Sequence, residues 1–470
     1  MQALTANAGP GGAAKKVFAF LRFHSGLILL LTVSLLVRIL IYRSVSVRIS
    51  TDSVTYLVLQ DLHPVRTPGY PLFIEIILFF NDLFSMTSNA LRLVIFVQLF
   101  LLGMVNTYLI YQFSRILTKS ATWSLALGLI YNLDYFVIGF EFLLLTETPA
   151  LTMLGLTLLF YWKIFAARAS APFLAGLFSV GLVLTRPTFA GLFICLLGLT
   201  LLIHRRQIVR GPFLSRFARP LAIFLAINLV GLGAWSLRNK VKYNFFGLST
   251  ILPYQLGYYT QSFCQKYKMG SDEELDKYAG ILIEENGSPY NFGQRVAEEF
   301  KLQPAQVSRI LLKLNLKLIK ENFGDYLRLV PRAASDYYAY SRYWTRGHDR
   351  RILARTSLLS KVFRSFRPIY SFLFNRPVAL LFLVFILPVV FLITRRKDSD
   401  TFHLTWLLEG TIHYSFVISV LLTNNGVNNQ RFRAPVEPFI LLVFFSALFL
   451  LGSDLARKLR KSRGTKKLQH

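Results

Sequence analysis

Cysteine is nearly missing from this chain of 470 residues: two occur, Cys195 inside an apolar run and Cys264 far from it in sequence. A disulfide framework therefore does not organise the fold, and the redox compartment stays open. Acidic residues are also scarce, 24 Asp and Glu against 53 Lys and Arg. No His-x-x-x-His or Cys-x-x-Cys spacing occurs, so there is no sequence signal for a zinc site. Walker, Gly-x-Gly-x-x-Gly and Gly-x-Ser-x-Gly patterns are absent too, which removes support for nucleotide-driven transport and for soluble hydrolase chemistry.

What the chain has is apolar bulk: 54% hydrophobic residues, 15% aromatic, and a mean hydropathy of +0.46. Those values lie outside the soluble globular range and imply an all-α polytopic membrane protein. In a soluble chain the basic excess would suggest nucleic acid; in a membrane chain it reads as a topology signal, and no nucleic-acid partner is expected. Lys15, Lys16 and Arg22 precede Leu27 to Tyr42 with no small-residue cleavage site after it, the pattern of an uncleaved signal anchor.

A span needs about 20 largely apolar residues. That rule predicts helices near 25–42, 90–113, 120–138, 143–165, 171–186, 188–204, 218–238, 372–394, 402–422 and 434–452, about ten in all (about 10–12 with short ones counted). The stretch 171–204 is split because "LTRPT" interrupts it at Arg186-Pro187. With the N-terminal arm (1–24) inside, every short inside segment is basic, from "SRILTKS" to the tail 453–470, so both termini are expected in the cytoplasm.

The apolar piece from Tyr70 to Phe80 is about half a span in length, and counting it as a crossing would invert every later loop. It is expected to dip into or lie on the interface within a first outside loop, 43–89. Residues 239–371 are then an outside domain, helical in pattern, in which "QPAQVSRILLKLNLKLIKENFGDYLRLVPRAASDYY" repeats Ile and Leu at three- and four-residue spacing as a surface helix next to a bilayer would.

The first outside loop gathers Asp52, Asp61, His63 and Arg66. As solvated loop residues they need no function, and Asp52 would cap a helix starting at Ser53. Charge at that depth otherwise faces a polar cavity. Here "TDSVTYLVLQ" followed by "RTPGYPLFIEII" resembles the first extracytoplasmic loop of GT-C membrane glycosyltransferases, in particular bacterial relatives of protein O-mannosyltransferases and of the lipid A aminoarabinose transferase. The resemblance continues through "LLLTETPALTMLGL", "LVLTRPTFAGL", "GAWSLRNKVKYNFFGLST" and "QRFRAPVEPFILL", in order and over nearly the whole chain.

The resemblance implies an inverting glycosyltransferase of the bacterial inner membrane. It would take a sugar from a polyprenyl-phosphate carrier and use Asp52 as catalytic base on the extracytoplasmic face. The second aspartate that some members carry beside this one is missing. A leaving phosphate gains charge as its bond breaks, which gives a role to the outside arginines Arg66, Arg186, Arg238, Arg431 and Arg433. Taken singly, each also reads as a helix-end arginine snorkelling to headgroups, and Arg38, near the end of the first span, is the clearest instance of that. Glu147 could bind the acceptor, hold a metal with Asp52, or cap a helix. Glu141 is a weaker candidate, and Asp61 and His63 are further ones. Tyr56, Tyr70 and Trp235 offer sugar-stacking faces or belong to an interfacial belt. The asparagines of "VNNQ" could bond sugar hydroxyls. No cofactor is required, although a divalent cation held by carboxylates stays open. Two rivals remain: an O-antigen polymerase or ligase using pyrophosphate-linked glycan and outside arginines, and a lipid-linked-sugar transporter, against which the outer clustering of charges speaks.

Overall fold

The computed structural model describes residues 10–44, 51–57, 66–87, 89–166, 168–209, 212–270, 272–339 and 399–467, with 365 and 368 as isolated positions. Among these residues the protein is helical throughout and has no β-strand. In chain order the helices are α1 (Pro10–Ser44), α2 (Thr51–Val54), α3 (Gly69–Phe84), α4 (Ala90–Val97), α5 (Gly103–Thr118), α6 (Ala121–Asn132), α7 (Tyr135–Glu141), α8 (Glu147–Phe165), α9 (Ala171–Thr185), α10 (Leu192–Val209) and α11 (Pro212–Tyr243). After these come α12 (Leu252–Thr260), α13 (Glu273–Glu284), α14 (Pro289–Phe300), α15 (Pro304–Glu321), α16 (Phe323–Tyr338), α17 (Ser399–Leu422), α18 (Gly426–Arg433) and α19 (Glu437–Lys467).

Seven stretches among the described residues are long and apolar enough to cross a membrane: Ser25–Arg43, Ala90–Thr118, Glu147–Phe165, Pro187–Arg205, Arg216–Tyr243, Asp400–Leu422 and Glu437–Ala456. They make this a multi-pass membrane protein. Three of the ten expected spans account for the difference. The expected span 120–138 is broken: α6 ends at Asn132, and Asp134 accepts the amides of Phe136 (3.0 Å) and Val137 (3.4 Å) to start α7 afresh. Helix α9, the expected 171–186, has 15 residues and a length of about 22 Å, short of a hydrocarbon core. The expected span 372–394 lies outside the described residues.

Between α4 and α5 the chain makes a π-helical turn, Gln98–Leu102, which keeps the two helices in one long rod. The Gln98 side chain accepts from Tyr70 Oη (2.6 Å) and donates to the carbonyls of Glu141 (3.1 Å) and Leu143 (2.8 Å). One amide thus ties α3 to the end of α7.

Arg38 corrects the snorkelling expectation. It is fully buried and forms a two-point ion pair with Glu141, Nε to Oε2 at 2.9 Å and Nη2 to Oε1 at 2.7 Å. Tyr131 donates to the same carboxylate (3.1 Å), and Asn132 accepts from Arg38 (2.6 Å). A buried charge of this kind persists only when its remaining donors and acceptors are filled, as they are here. The pair fastens α1 to α7 and has a structural role.

Helix α3 runs the full length from Gly69 to Phe84, longer than the half-span expected of it. Its inner face buries Tyr70, Ile74 and Ile77, and its outer face exposes Leu72, Ile76, Phe79 and Leu83, the face a bilayer would cover. Gly69 lets α3 start against the end of α9: a β-carbon there would meet the Leu184 carbonyl at 2.6 Å and the Thr185 amide at 2.7 Å, which are backbone atoms and cannot rotate away. Gly69→Ala is therefore expected to cost about 1–3 kcal/mol. A thermal unfolding scan in detergent checks this, and an unshifted transition would remove the close approach from the account.

Helices α12 to α16 form a compact unit after α11. The apolar stripe of α15, expected to face a bilayer, instead faces protein: Leu311, Leu314 and Leu318 are buried. Asn315 donates to the Pro253 carbonyl (2.7 Å) and accepts from Thr260 (2.7 Å), locking α15 onto α12. An amphipathic stripe suits either neighbour, and here the partner is α12.

Candidate functional site

Four separate pieces of chain meet at one end of the helix bundle. The first is the short helix α2, whose Asp52 carbonyl accepts from the Thr55 amide (3.2 Å) and hydroxyl (2.6 Å). Its carboxylate does not cap that helix, contrary to the simplest sequence reading. Asp52 Oδ1 accepts from Arg66 Nη2 at 2.9 Å and Oδ2 from Arg431 Nη1 at 2.5 Å. Arg66 also donates to Thr55 Oγ1 (3.0 Å) and lies over the Tyr56 ring, 4.8 Å from its centre. Tyr56 is in turn braced edge-on by Tyr70 (5.1 Å).

The second piece is the start of α8. Glu147 is 2% exposed and accepts from Arg431 Nε at 2.7 Å. Arg431 therefore bridges Asp52 and Glu147, one nitrogen to each. The third piece is the break after α9. Pro187 has no amide to continue a helix and forces the residue before it out of the helical region, so Arg186 is extended (φ −141°, ψ 99°). Its Nη1 lies 3.3 Å from Glu147 Oε1, an ion pair without hydrogen-bond geometry. The fourth piece is α18, which carries Arg431.

Asp52, Arg66, Arg186 and Arg431 line a cavity of about 510 Å³, and Glu147 stands outside it, against Arg186 and Arg431. Two carboxylates and three guanidiniums leave one net positive charge there. Among the described residues, the Glu147 Oε2 atom and Arg186 Nη1 are buried without hydrogen-bond partners. Burial works to raise the Asp52 pKa, but the Arg431 and then the Arg66 guanidinium outweigh it and hold the carboxyl below the ordinary carboxylate value. With its folded value depressed, the group contributes stability above the unfolded pKa and loses it as pH falls through the folded one. It is fully ionised at neutral pH.

A depressed Asp52 pKa predicts the pH profile of any reaction that uses it as base. The acid limb of kcat/KM should fall below about pH 3.9, the ordinary aspartate value. Arg66→Ala, which removes one of the two guanidiniums, should move that limb upward. A limb that stays fixed when Arg66 is removed would detach Asp52 from the rate.

The other expected site residues lie elsewhere. Arg433, two residues from Arg431, is buried on the other side of α18, where it pairs with Glu437 (2.8 Å) and donates to the carbonyls of Tyr337 (2.6 Å) and Ala339 (2.9 Å). Arg238 covers the Trp235 ring at 4.6 Å and donates to Asn239 (2.9 Å), while the Trp235 indole donates to the Leu248 carbonyl (3.0 Å). Neither residue lines the cavity. Tyr70 is buried behind Tyr56. Glu141 belongs to the Arg38 pair. Asp61 and His63 fall outside the described residues. A cation between Asp52 and Glu147 would have to displace the Arg431 guanidinium, and among the described residues no three His, Cys, Asp or Glu side chains gather as a metal site.

The cavity also has a wall that sequence reasoning did not single out: Gln255 and Tyr258 of α12, Tyr290 of α14, and Asn428 of α18. The aromatic content of "LPYQLGYYT" was the available signal, but nothing in the chain order places α12 opposite Asp52. No protein-family model matches the chain, and neither a curated protein nor a solved structure matches it significantly. The resemblance read from the sequence motifs thus stands on those motifs alone.

Proposed function

We propose that this protein is an integral-membrane inverting glycosyltransferase that moves a sugar from a polyprenyl-phosphate carrier to an extracytoplasmic acceptor. The observation that carries the reading is the convergence of Asp52 with Arg66, Arg186 and Arg431, from three distant parts of the chain, on one cavity at the ends of apolar helices. A lipid-linked phosphate keeps its tail in the bilayer and its headgroup at the interface, which is where such a cavity belongs. The acceptor hydroxyl would give its proton to Asp52 as its oxygen bonds to the anomeric carbon. The carbon–oxygen bond to phosphate breaks, and its electron pair leaves with the phosphate. Guanidiniums already aimed at that phosphate stabilise the growing charge.

The resting pairing of Asp52 bears on order of events. A carboxylate held by two guanidiniums is a poor base. An incoming phosphate competes for Arg66 and Arg431, and as they turn to it the Asp52 carboxylate is released. Base strength then appears when donor is present, which disfavours idle activation of water. The same pairing is the one feature that favours the second reading, a polymerase or ligase on pyrophosphate-linked glycan, in which arginines act and no carboxylate base is needed. Mass spectrometry of polyprenyl-linked sugars in membranes with and without the protein separates the two. Consumption of a monophosphate-linked sugar is the expected result; a change confined to pyrophosphate-linked glycan would replace this reading with the second.

A further inference from the structure

We infer that the wall formed by Gln255, Tyr258, Tyr290 and Asn428 is a carbohydrate-binding subsite, and that the acceptor of the reaction is therefore the hydroxyl of a sugar ring. The inference rests on the donor reading for the word acceptor, but the wall itself is argued from its own geometry.

The wall is built by close approach. A β-carbon on Gly257 would meet Pro289 Cβ at 2.6 Å, so only glycine lets the start of α14 press onto α12 at this level. That contact sets Tyr290, the next residue after Pro289, against Tyr254 (ring centres 5.2 Å) and Tyr258 (6.4 Å). The turn into α14 depends on Gly287, at φ +72°, where a β-carbon would meet the Gln261 α-carbon at 2.7 Å. Asn428 of α18 donates to Gln255 Oε1 (3.2 Å), which joins the helical unit α12–α16 to the segment that carries Arg431.

Tyr290 remains 48% exposed although it sits in a packed tyrosine group. Its ring meets those of Tyr254 and Tyr258 at a tilt and keeps nearly half its surface open, which leaves area for a stacking contact. Burial raises the Tyr258 and Tyr290 phenols above their ordinary value, and the Asp52 carboxylate adds to the rise, so both stay protonated and lie near the proposed base. These four residues carry no formal charge, in contrast to the Asp52, Arg66, Arg186 and Arg431 part of the lining. Arg66, which acts on the Tyr290 phenol, is already engaged with Asp52, so an ionic acceptor would have to break that pair, and a peptide would need backbone partners along an edge. Aromatic faces flanked by two carboxamides suit instead a neutral ring with C–H faces and several hydroxyls. With phosphate on the arginines and Asp52 between, a ring against this wall would present a hydroxyl to Asp52.

Saturation-transfer NMR on the full chain in lipid nanodiscs tests this without any donor. The probes are methyl glycosides of hexoses and pentoses and a blocked serine tripeptide. Saturation of glycoside ring protons is expected with wild type, weakened about tenfold in apparent affinity by Tyr290→Ala and by Asn428→Ala, each removing one face or one hydrogen-bonding group. Tyr290 is half exposed, so its replacement leaves the fold intact, which circular dichroism verifies. Absence of glycoside saturation in wild type, saturation that survives both substitutions, or saturation of the tripeptide through these residues would each overturn the inference. The donor reading fails separately, if decaprenyl phosphate leaves the thermal transition of wild type unmoved while glycosides still bind.

Discussion

Arg431→Ala lowers stability by about 3–5 kcal/mol and removes donor turnover together with it. Glu147 is buried, and its strongest partner is Arg431 Nε. Without that guanidinium the carboxylate keeps, among the described residues, Arg186 at 3.3 Å and out of hydrogen-bond alignment, while its other oxygen has no hydrogen-bond partner among them. An unbalanced buried charge of this kind is what makes deletion of one partner so costly. Arg431→Lys should be intermediate, because one ammonium cannot reach both carboxylates as a planar fork does. Removing both charges separates stability from function: Arg431→Leu with Glu147→Gln should regain most of the stability and none of the turnover. Thermal unfolding and donor turnover on the same preparations check this. Full stability in the single alanine variant would mean that the bridge carries no weight.

Asp52→Asn should lower turnover by about 10²–10⁴ while the fold is kept. The side chain is one-third exposed and its replacement is isosteric, so little packing is lost. The substitution removes the base and also relieves Arg66 and Arg431 of their resting partner. Donor should consequently bind as well as before or more tightly, so KM falls with kcat. A purely structural Asp52 predicts the opposite pattern, poorer folding and weaker donor binding together.

Local chemistry made parts of this legible from sequence. The break at Arg186-Pro187 follows from one missing amide and one steric clash, both fixed by the residues themselves. The break at Asp134 was hidden because hydropathy summed over 120–138 stays high while a single cap ends α6 and starts α7. Arg38 was misread because its partner, Glu141, is 103 residues away and no single sequence shows that pairing. Arg431 and Arg433 looked equivalent, yet positions two apart on a helix point about 200° from each other, so one enters the cavity and the other is buried against Glu437. The tyrosine wall depends on glycines at helix crossings, whose need for closeness becomes visible only when both helices are in place.

Asp52 and the three arginines are proposed to act together on a polyprenyl-phosphate sugar, which one assay tests directly. Purified wild type and Asp52→Asn, both verified as folded, are incubated with radiolabelled polyprenyl-phosphate sugars and membrane extract, and the release of free polyprenyl phosphate is followed. The account predicts release with wild type and a rate about 10²–10⁴ lower with Asp52→Asn. Equal rates for the two proteins, or no release from any monophosphate-linked sugar, would contradict it.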